Sequence, residues 1–226
     1  MNEEKIRTRK FLVPGTSSAQ IQVISEKGPF KLRKISVSGD VADSFFVTDI
    51  KVGRNSQFVS AAAIPASFFA AITRQENLVF DTTPRGVFMT IEVTNMCAEA
   101  KEFEAELIGE LVEGRSPLQH PNNARCVLGL GHTIVDSKGT TTVCSQAQAV
   151  FGPDRLFVPA KVLESFRVLD VRVVGESVAG REELQNEEMS LAPSVMQFGD
   201  WLCIDVANDA DSEKAFYGAV VGRLVQ

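Results

Sequence analysis

From Phe103 to Leu111 the chain reads Phe-Glu-Ala-Glu-Leu-Ile-Gly-Glu-Leu, which sets Phe103, Ala105, Leu107, Gly109 and Leu111 on one side and Glu104, Glu106 and Glu110 on the other. A period of two with carboxylates along one side predicts a strand with one face in a core and the other in water. The carboxyl end has the same inner face, Phe216, Gly218, Val220, Gly222 and Leu224, but its outer face is Tyr217, Ala219, Val221, Arg223 and Val225. Apolar surface of that extent calls for a cover. Tyr217, Ala219, Val221 and Val225 are therefore expected to form a contact, with the first half of the chain or with another subunit.

Further short runs rich in Val, Ile, Phe and Thr, bounded by Gly, Pro and Asn, predict strands near 19–24, 30–37, 45–52 and 87–94, and again near 141–150, 151–158, 166–174 and 201–207. Two stretches suit short connecting helices, 65–74 and 181–189. Many short strands with few helices predict an all-β sandwich or barrel rather than an alternating α/β fold.

The strand pattern occurs twice. Laid without a gap over 151–173, the stretch 30–52 matches at Phe30, Val37, Val41, Ser44, Phe45, Val47, Asp49 and Val52, which meet Phe151, Val158, Val162, Ser165, Phe166, Val168, Asp170 and Val173. A second block follows in the same order: Ile91-Glu-Val-Thr-Asn95 lies over Ile204-Asp-Val-Ala-Asn208, and Phe103, Gly109, Leu111 and Val112 meet Phe216, Gly222, Leu224 and Val225. Two tandem β-sandwich units related by internal duplication are thus expected over 11–114 and 126–226, with an amino-terminal arm over 1–10 and a turn-rich linker over 115–125. Asp49 and Lys51 stand two apart on one strand, as do Asp170 and Arg172, so each pair points the same way. An acidic residue is disfavoured inside a strand, and its recurrence predicts a structural tie: a carboxylate holding a bend or loop, shielded by the cation.

Composition narrows the picture. A hydrophobic fraction of 44% with 23% charged residues describes a folding, globular chain, and the net charge of −6 argues against a surface that is wholly a nucleic-acid footprint. The arm is locally basic: Lys5, Arg7, Arg9 and Lys10 face only Glu3 and Glu4. A solvated, partly disordered terminus is expected there, and any nucleic-acid contact is expected through this arm alone. Cys97, Cys126, Cys144 and Cys203 form neither a zinc spacing nor a dense disulfide framework, so reduced and mostly buried thiols are expected. No apolar run approaches a bilayer span and the first residues lack a signal peptide's apolar core, so a soluble chain made in a cytoplasm is expected.

Catalytic chemistry has few candidates. His120 and His132 are the only histidines, and with Cys126 and Cys144 they match no zinc module. Gly129-Leu-Gly131 lacks the third glycine of a phosphate loop and reads as part of a strand. Fifteen phenylalanines against one Trp and one Tyr look like core rather than a sugar-stacking platform. No catalytic residue, metal or cofactor is expected.

With two sandwich units in series, short strands and compact closing strands, the chain resembles the double jelly-roll coat proteins of tailless phages and related viruses over about 200 residues. The basic arm is similar to arms that such shell proteins set against neighbours or genome. Each unit is short for a major capsomer, so the resemblance implies a smaller shell, spike or lattice component. The expected function is a non-enzymatic, self-assembling structural protein whose partners are copies of itself and other structural proteins. The alternative is a tandem β-sandwich binding module for a glycan or a protein. An enzyme would need a site at His132 near the linker.

Overall fold

The structure is a computed structural model that describes residues 3–72, 78–112, 124–179 and 187–225. It divides into two compact units, residues 1–58 with 65–124, and residues 59–64 with 125–226.

The first unit runs β1 (Glu3–Arg7), β2 (Phe11–Val13), β3 (Ser18–Ile24), β4 (Phe30–Val37), α1 (Gly39–Ala42), β5 (Phe45–Val52) and β6 (Asn55–Ser56). After the junction segment β7 (Ile64–Pro65) it continues through α2 (Ala66–Ile72), β8 (Thr82–Thr83), β9 (Phe88–Asn95), β10 (Lys101–Phe103) and β11 (Ala105–Leu111). The second unit runs β12 (Arg125–Val135), β13 (Thr140–Gln146), β14 (Phe151–Phe157), α3 (Ala160–Leu163), β15 (Phe166–Val173), β16 (Glu176–Ser177), β17 (Glu188–Ser190), β18 (Trp201–Asn208) and β19 (Lys214–Leu224).

In the second unit the sheets are ordered β12-β19-β14-β17 and β13-β18-β15-β16. One sheet thus holds the first, eighth, third and sixth strands, the other the second, seventh, fourth and fifth: an antiparallel jelly roll built from two Greek keys. The first unit repeats this order as β1-β11-β4-β8 and β3-β9-β5-β6, with β2 paired to β10. Its first and eighth strands are simply broken in two. Each core is lined by the inner faces of its two sheets, including the fully buried rings of Phe30, Phe45 and Phe103 in one unit and Phe151, Phe157 and Phe216 in the other. Phe45 meets Phe103 edge to face, with ring centroids 5.1 Å apart, and their counterparts Phe166 and Phe216 do the same at 5.4 Å.

The duplication extends to irregularities. Pairing of β11 with β4 slips at Ile108/Gly109, leaving Arg33 as the extra residue, and β14 slips against β19 so that Asp154 is extra. An extra residue bends the strand and turns its side chain outward. Arg33 then reaches Glu110 at 2.6 Å, whereas Asp154 reaches Arg223 at 3.3 Å, so the two copies keep one ion pair with its signs exchanged. Next to each slip, a Cβ on Gly109 falls 2.2 Å from the Lys31 carbonyl oxygen and 2.7 Å from the Phe30 ring. On Gly222 it falls 2.2 Å from the Gly152 oxygen and 2.5 Å from the Phe151 ring. Only glycine lets these strands close over the buried phenylalanine.

Several expectations need correction. The amino-terminal arm is no loose terminus: β1 pairs with β11 from Glu3↔Glu110 to Arg7↔Glu106. Thr8 fastens the crossing to β2, donating its N–H to the Ala105 oxygen at 2.9 Å and accepting from the Ala105 N–H at 2.8 Å. The helix expected over 65–74 is α2, with 73–74 outside the described residues, but of the helix expected over 181–189 the described end is strand β17. Charged residues misled that reading, since Glu188 lies on an outer face and pairs with Arg155 at 2.9 Å. The first unit is not continuous either. Segment 59–64 lies along β12, with Val59 N–H donating to the Val127 oxygen, Gly131 N–H to the Ala63 oxygen and Gln148 N–H to the Val59 oxygen.

Candidate functional site

The side chains shared by the two copies gather on one outer sheet face and one loop. On β5, Asp49 accepts from the Ser56 hydroxyl at 2.7 Å, and Lys51 bridges Glu92 at 2.7 Å and Asp49 at 3.6 Å; Glu92 also accepts from Gln20 at 3.0 Å. On β15 the row returns: Ser177 donates to Asp170 at 2.6 Å, Arg172 reaches Asp205 at 2.7 Å and Asp170 at 3.9 Å, and Thr142 donates to Asp205 at 2.6 Å. Each row crosses its sheet from one edge to the other. The hydrogen bond to Glu92, aided by the charges of Glu92 and Asp49 and opposed by burial, holds the Lys51 ammonium above its ordinary pKa. The carboxylates thus tie a hairpin through a serine hydroxyl and a neighbouring strand through the cation.

The loop feature is a buried asparagine that closes β9 and β18. Asn95, 0% exposed, donates its amide to the oxygens of Val13 (3.0 Å), Pro14 (3.3 Å) and Glu99 (2.8 Å) and accepts from Cys97 N–H (2.9 Å). Asn208, 1% exposed, repeats this with Val135, Asp136 and Ser212, each at 3.0 Å, and Ala210 N–H at 2.9 Å. Sequence comparison aligns the two asparagines without disclosing their work. The available signal was an amide at a strand end in both copies, against strand propensity. Beside it, Arg167 grips Asp209 with two hydrogen bonds (2.6 and 2.9 Å), which hold that carboxyl below its ordinary pKa.

Cys144 and Cys203 are disulfide-bonded, contrary to the expected thiols, whereas Cys97 and Cys126 form no disulfide among the described residues. The two residues stand opposite each other on β13 and β18, at the positions held by Gln22 and Thr90 on β3 and β9 of the first unit. A separation of 59 residues along the chain concealed this pairing.

At the start of β18, Trp201 is 51% exposed and borders a concavity of about 330 Å³. Arg172, Val174, Gly175, Gly199 and Asp200 complete most of its wall. The equivalent start of β9 is Phe88, also 47% exposed. An aromatic thus stands half in water at the same place in both copies. Phe45, Phe46, Phe68 and Phe69 are buried as expected of core phenylalanines, whereas Phe88 is not.

The predicted contact strand is largely used up within the chain. Ala219 is 0% and Val221 1% exposed, and their cross-strand partners Gly129 and Val127 carry segment 59–64, the Cβ position of Gly129 lying 2.1 Å from the Ala62 oxygen. Ala219 and Val221 are therefore withdrawn as contact points for another subunit. Tyr217 is half-buried and stacks on His132, with centroids 6.5 Å apart, and Val225 is half-buried with its N–H on the Val150 oxygen. The basic arm is partly ion-paired: Arg7 lies 3.1 Å and Lys5 3.9 Å from Glu106, and Lys10 lies 3.5 Å from Glu102, with Arg9 exposed. His120 and most of the expected linker lie outside the described residues. Among the described residues no three His, Cys, Asp or Glu side chains gather as metal ligands, and no helix is long and apolar enough to cross a membrane.

No known family profile matches the chain, and no curated protein does. Among solved structures, the chain is similar to the major capsid protein P2 of bacteriophage PM2, at 9% identity and a TM-score of 0.49 over 100% of this chain and 99% of that one. It is also similar to PNGase F, a glycosylasparaginase from Flavobacterium meningosepticum, at 10% identity and a TM-score of 0.40 over 100% and 96%. The CUB1-EGF-CUB2 domain of human MASP-1/3 follows at 12% identity and a TM-score of 0.24 over 98% of each chain.

Proposed function

We propose that this protein is a non-enzymatic structural component that assembles with copies of itself into a shell or lattice, of the kind that encloses a phage or virus. What the two jelly rolls hold in common is scaffold: the asparagine loop ties, the carboxylate rows, and the glycines under Phe30 and Phe151. The observation that carries assembly is a repeated exposed aliphatic. Leu12 is 63% and Ile134 54% exposed, and they occupy equivalent places, facing Glu102 and Ala215 across equivalent strand pairs. A single exposed leucine is ordinary. The same exposed aliphatic on both halves of one chain offers neighbours two related contacts, which suits repeated packing in a closed array.

The edge strands β3 and β13 carry rows of polar residues, as in Ser18, Gln20 and Gln22 on β3 and Thr140 and Thr142 on β13. Polar edges resist open-ended strand addition, so contacts run through faces and loops. A solvent-facing disulfide accords with a particle that leaves the reducing cytoplasm. The test is light scattering coupled to size exclusion, with negative-stain microscopy, on the full chain. Assemblies are expected for the natural protein and loss of them for Leu12→Glu/Ile134→Glu. A chain that stays monomeric at about millimolar concentration refutes the proposal, since contacts that weak contribute no more than about 4 kcal/mol. The alternative, a binding module, draws its own support from the concavity at Trp201.

A further inference from the structure

We infer that the concavity at Trp201 is a binding site for a neutral saccharide. The chain has one tryptophan, and it stands half exposed at the head of β18 with no hydrogen bond on its indole N–H among the described residues. An indole held in that way presents an apolar plane and a polar tip, the pairing that the C–H face and hydroxyls of a pyranose ring complement.

The rest of the wall supplies polar partners and room. Gly175 (φ +85°) and Gly199 (φ +91°) sit in left-handed backbone, and nothing lies within 4 Å of a Cβ at Gly175, so the backbone there stays open to a ligand. Asp200 uses one oxygen to accept the Gln197 N–H at 2.6 Å, and the other accepts nothing among the described residues. That oxygen is a ready acceptor for a hydroxyl. Arg172 is committed to Asp205 and Asp170. The charged residues of that wall are Asp200 and the ion-paired Arg172, whose charges offset, so the site suits an uncharged ligand. About 330 Å³ is the lower end of ligand-pocket sizes, enough for a short saccharide.

The first unit is an internal control. Phe88 replaces Trp201 and Gly86 (φ +79°) repeats Gly199, but Val87 stands where Asp200 does and Arg54 where Gly175 does, so the acceptor and one of the two glycines are missing.

Trp201 is its own reporter. The full chain is titrated with neutral mono- to tetrasaccharides of glucose, mannose, galactose and N-acetylglucosamine, followed by tryptophan emission and, for variants without tryptophan, by calorimetry. A saturable signal with a dissociation constant of about 1 mM or tighter is expected for at least one series. Asp200→Asn keeps the Gln197 bond through its amide oxygen and turns the free acceptor into a donor, so it weakens binding about tenfold or more. Trp201→Phe weakens it several-fold, and Phe88→Ala leaves it unchanged. Absence of saturation across the panel overturns the inference, as does binding that Asp200→Asn and Trp201→Phe leave intact, or binding confined to sulfated or sialylated sugars. Emission that shifts with protein concentration alone assigns the patch to a second copy and overturns it too. Assembly is scored separately on the Leu12→Glu/Ile134→Glu variant, so the two readings fail independently.

Discussion

Truncating Asn208 to alanine removes four hydrogen bonds from one loop, and its cost can be worked from their surroundings. Two amide protons serve three carbonyls, those of Val135, Asp136 and Ser212, each at 3.0 Å, so one proton is shared, while the amide oxygen takes the Ala210 N–H at 2.9 Å. The bond to Val135 is buried, and the other three are partly buried and open to replacement by water. Losing the buried partner costs the desolvation of a carbonyl, roughly 1–3 kcal/mol, and each rewetted bond costs roughly 0.5 kcal/mol, for a sum of about 3 kcal/mol. That is a large share of a domain's usual stability of about 5–15 kcal/mol. Urea unfolding followed by far-ultraviolet circular dichroism measures it, and Asn95→Ala is expected to cost the same within about 1 kcal/mol. Asn208→Asp sharpens the test. It preserves the acceptor for Ala210 but turns a carboxylate toward three carbonyl oxygens, so at neutral pH it is at least as destabilising as alanine, and it recovers as acid protonates the group. A loss under about 0.5 kcal/mol for Asn208→Ala, or full stability of Asn208→Asp at neutral pH, refutes the loop-tie argument.

Gly222→Ala sets a methyl 2.2 Å from the Gly152 carbonyl oxygen; the strands must part, at a cost of about 3 kcal/mol, read as a lower melting temperature. Shrinking the ring in a Phe151→Leu background does not rescue it, because the nearest clashing atom is backbone. Cys144→Ser/Cys203→Ser opens a loop of 59 residues and lowers stability by about 2–4 kcal/mol. Identical unfolding curves for the natural chain with and without a thiol reductant contradict that expectation.

The fold was legible because jelly-roll strands declare themselves by a period of two, and because duplication prints the same inner face twice. Phe30, Val37, Phe45 and Val52 occupy the core, as their counterparts Phe151, Val158, Phe166 and Val173 do. The paired Asp49–Lys51 and Asp170–Arg172 were legible as structure for a similar reason: an acid in a strand needs a local partner, and the partner lies two residues along. The amino-terminal strand was not, because alternating Glu, Lys and Arg mark an edge strand and a solvated tail alike. What separates them is Glu106 waiting on β11, a residue about a hundred positions away.

Local order along the chain by itself determined the class of structure, the repeat and the inner faces, since side-chain alternation and turn chemistry act over a few residues. Contacts across distant segments decided the rest. They withdrew Ala219 and Val221 under segment 59–64, joined Cys144 to Cys203, buried Asn95 and Asn208 among carbonyls, and left the one tryptophan standing at the rim of a cavity. Burial and pairing of this kind depend on which strands the Greek-key connections bring together, and that pairing is a property of the folded whole.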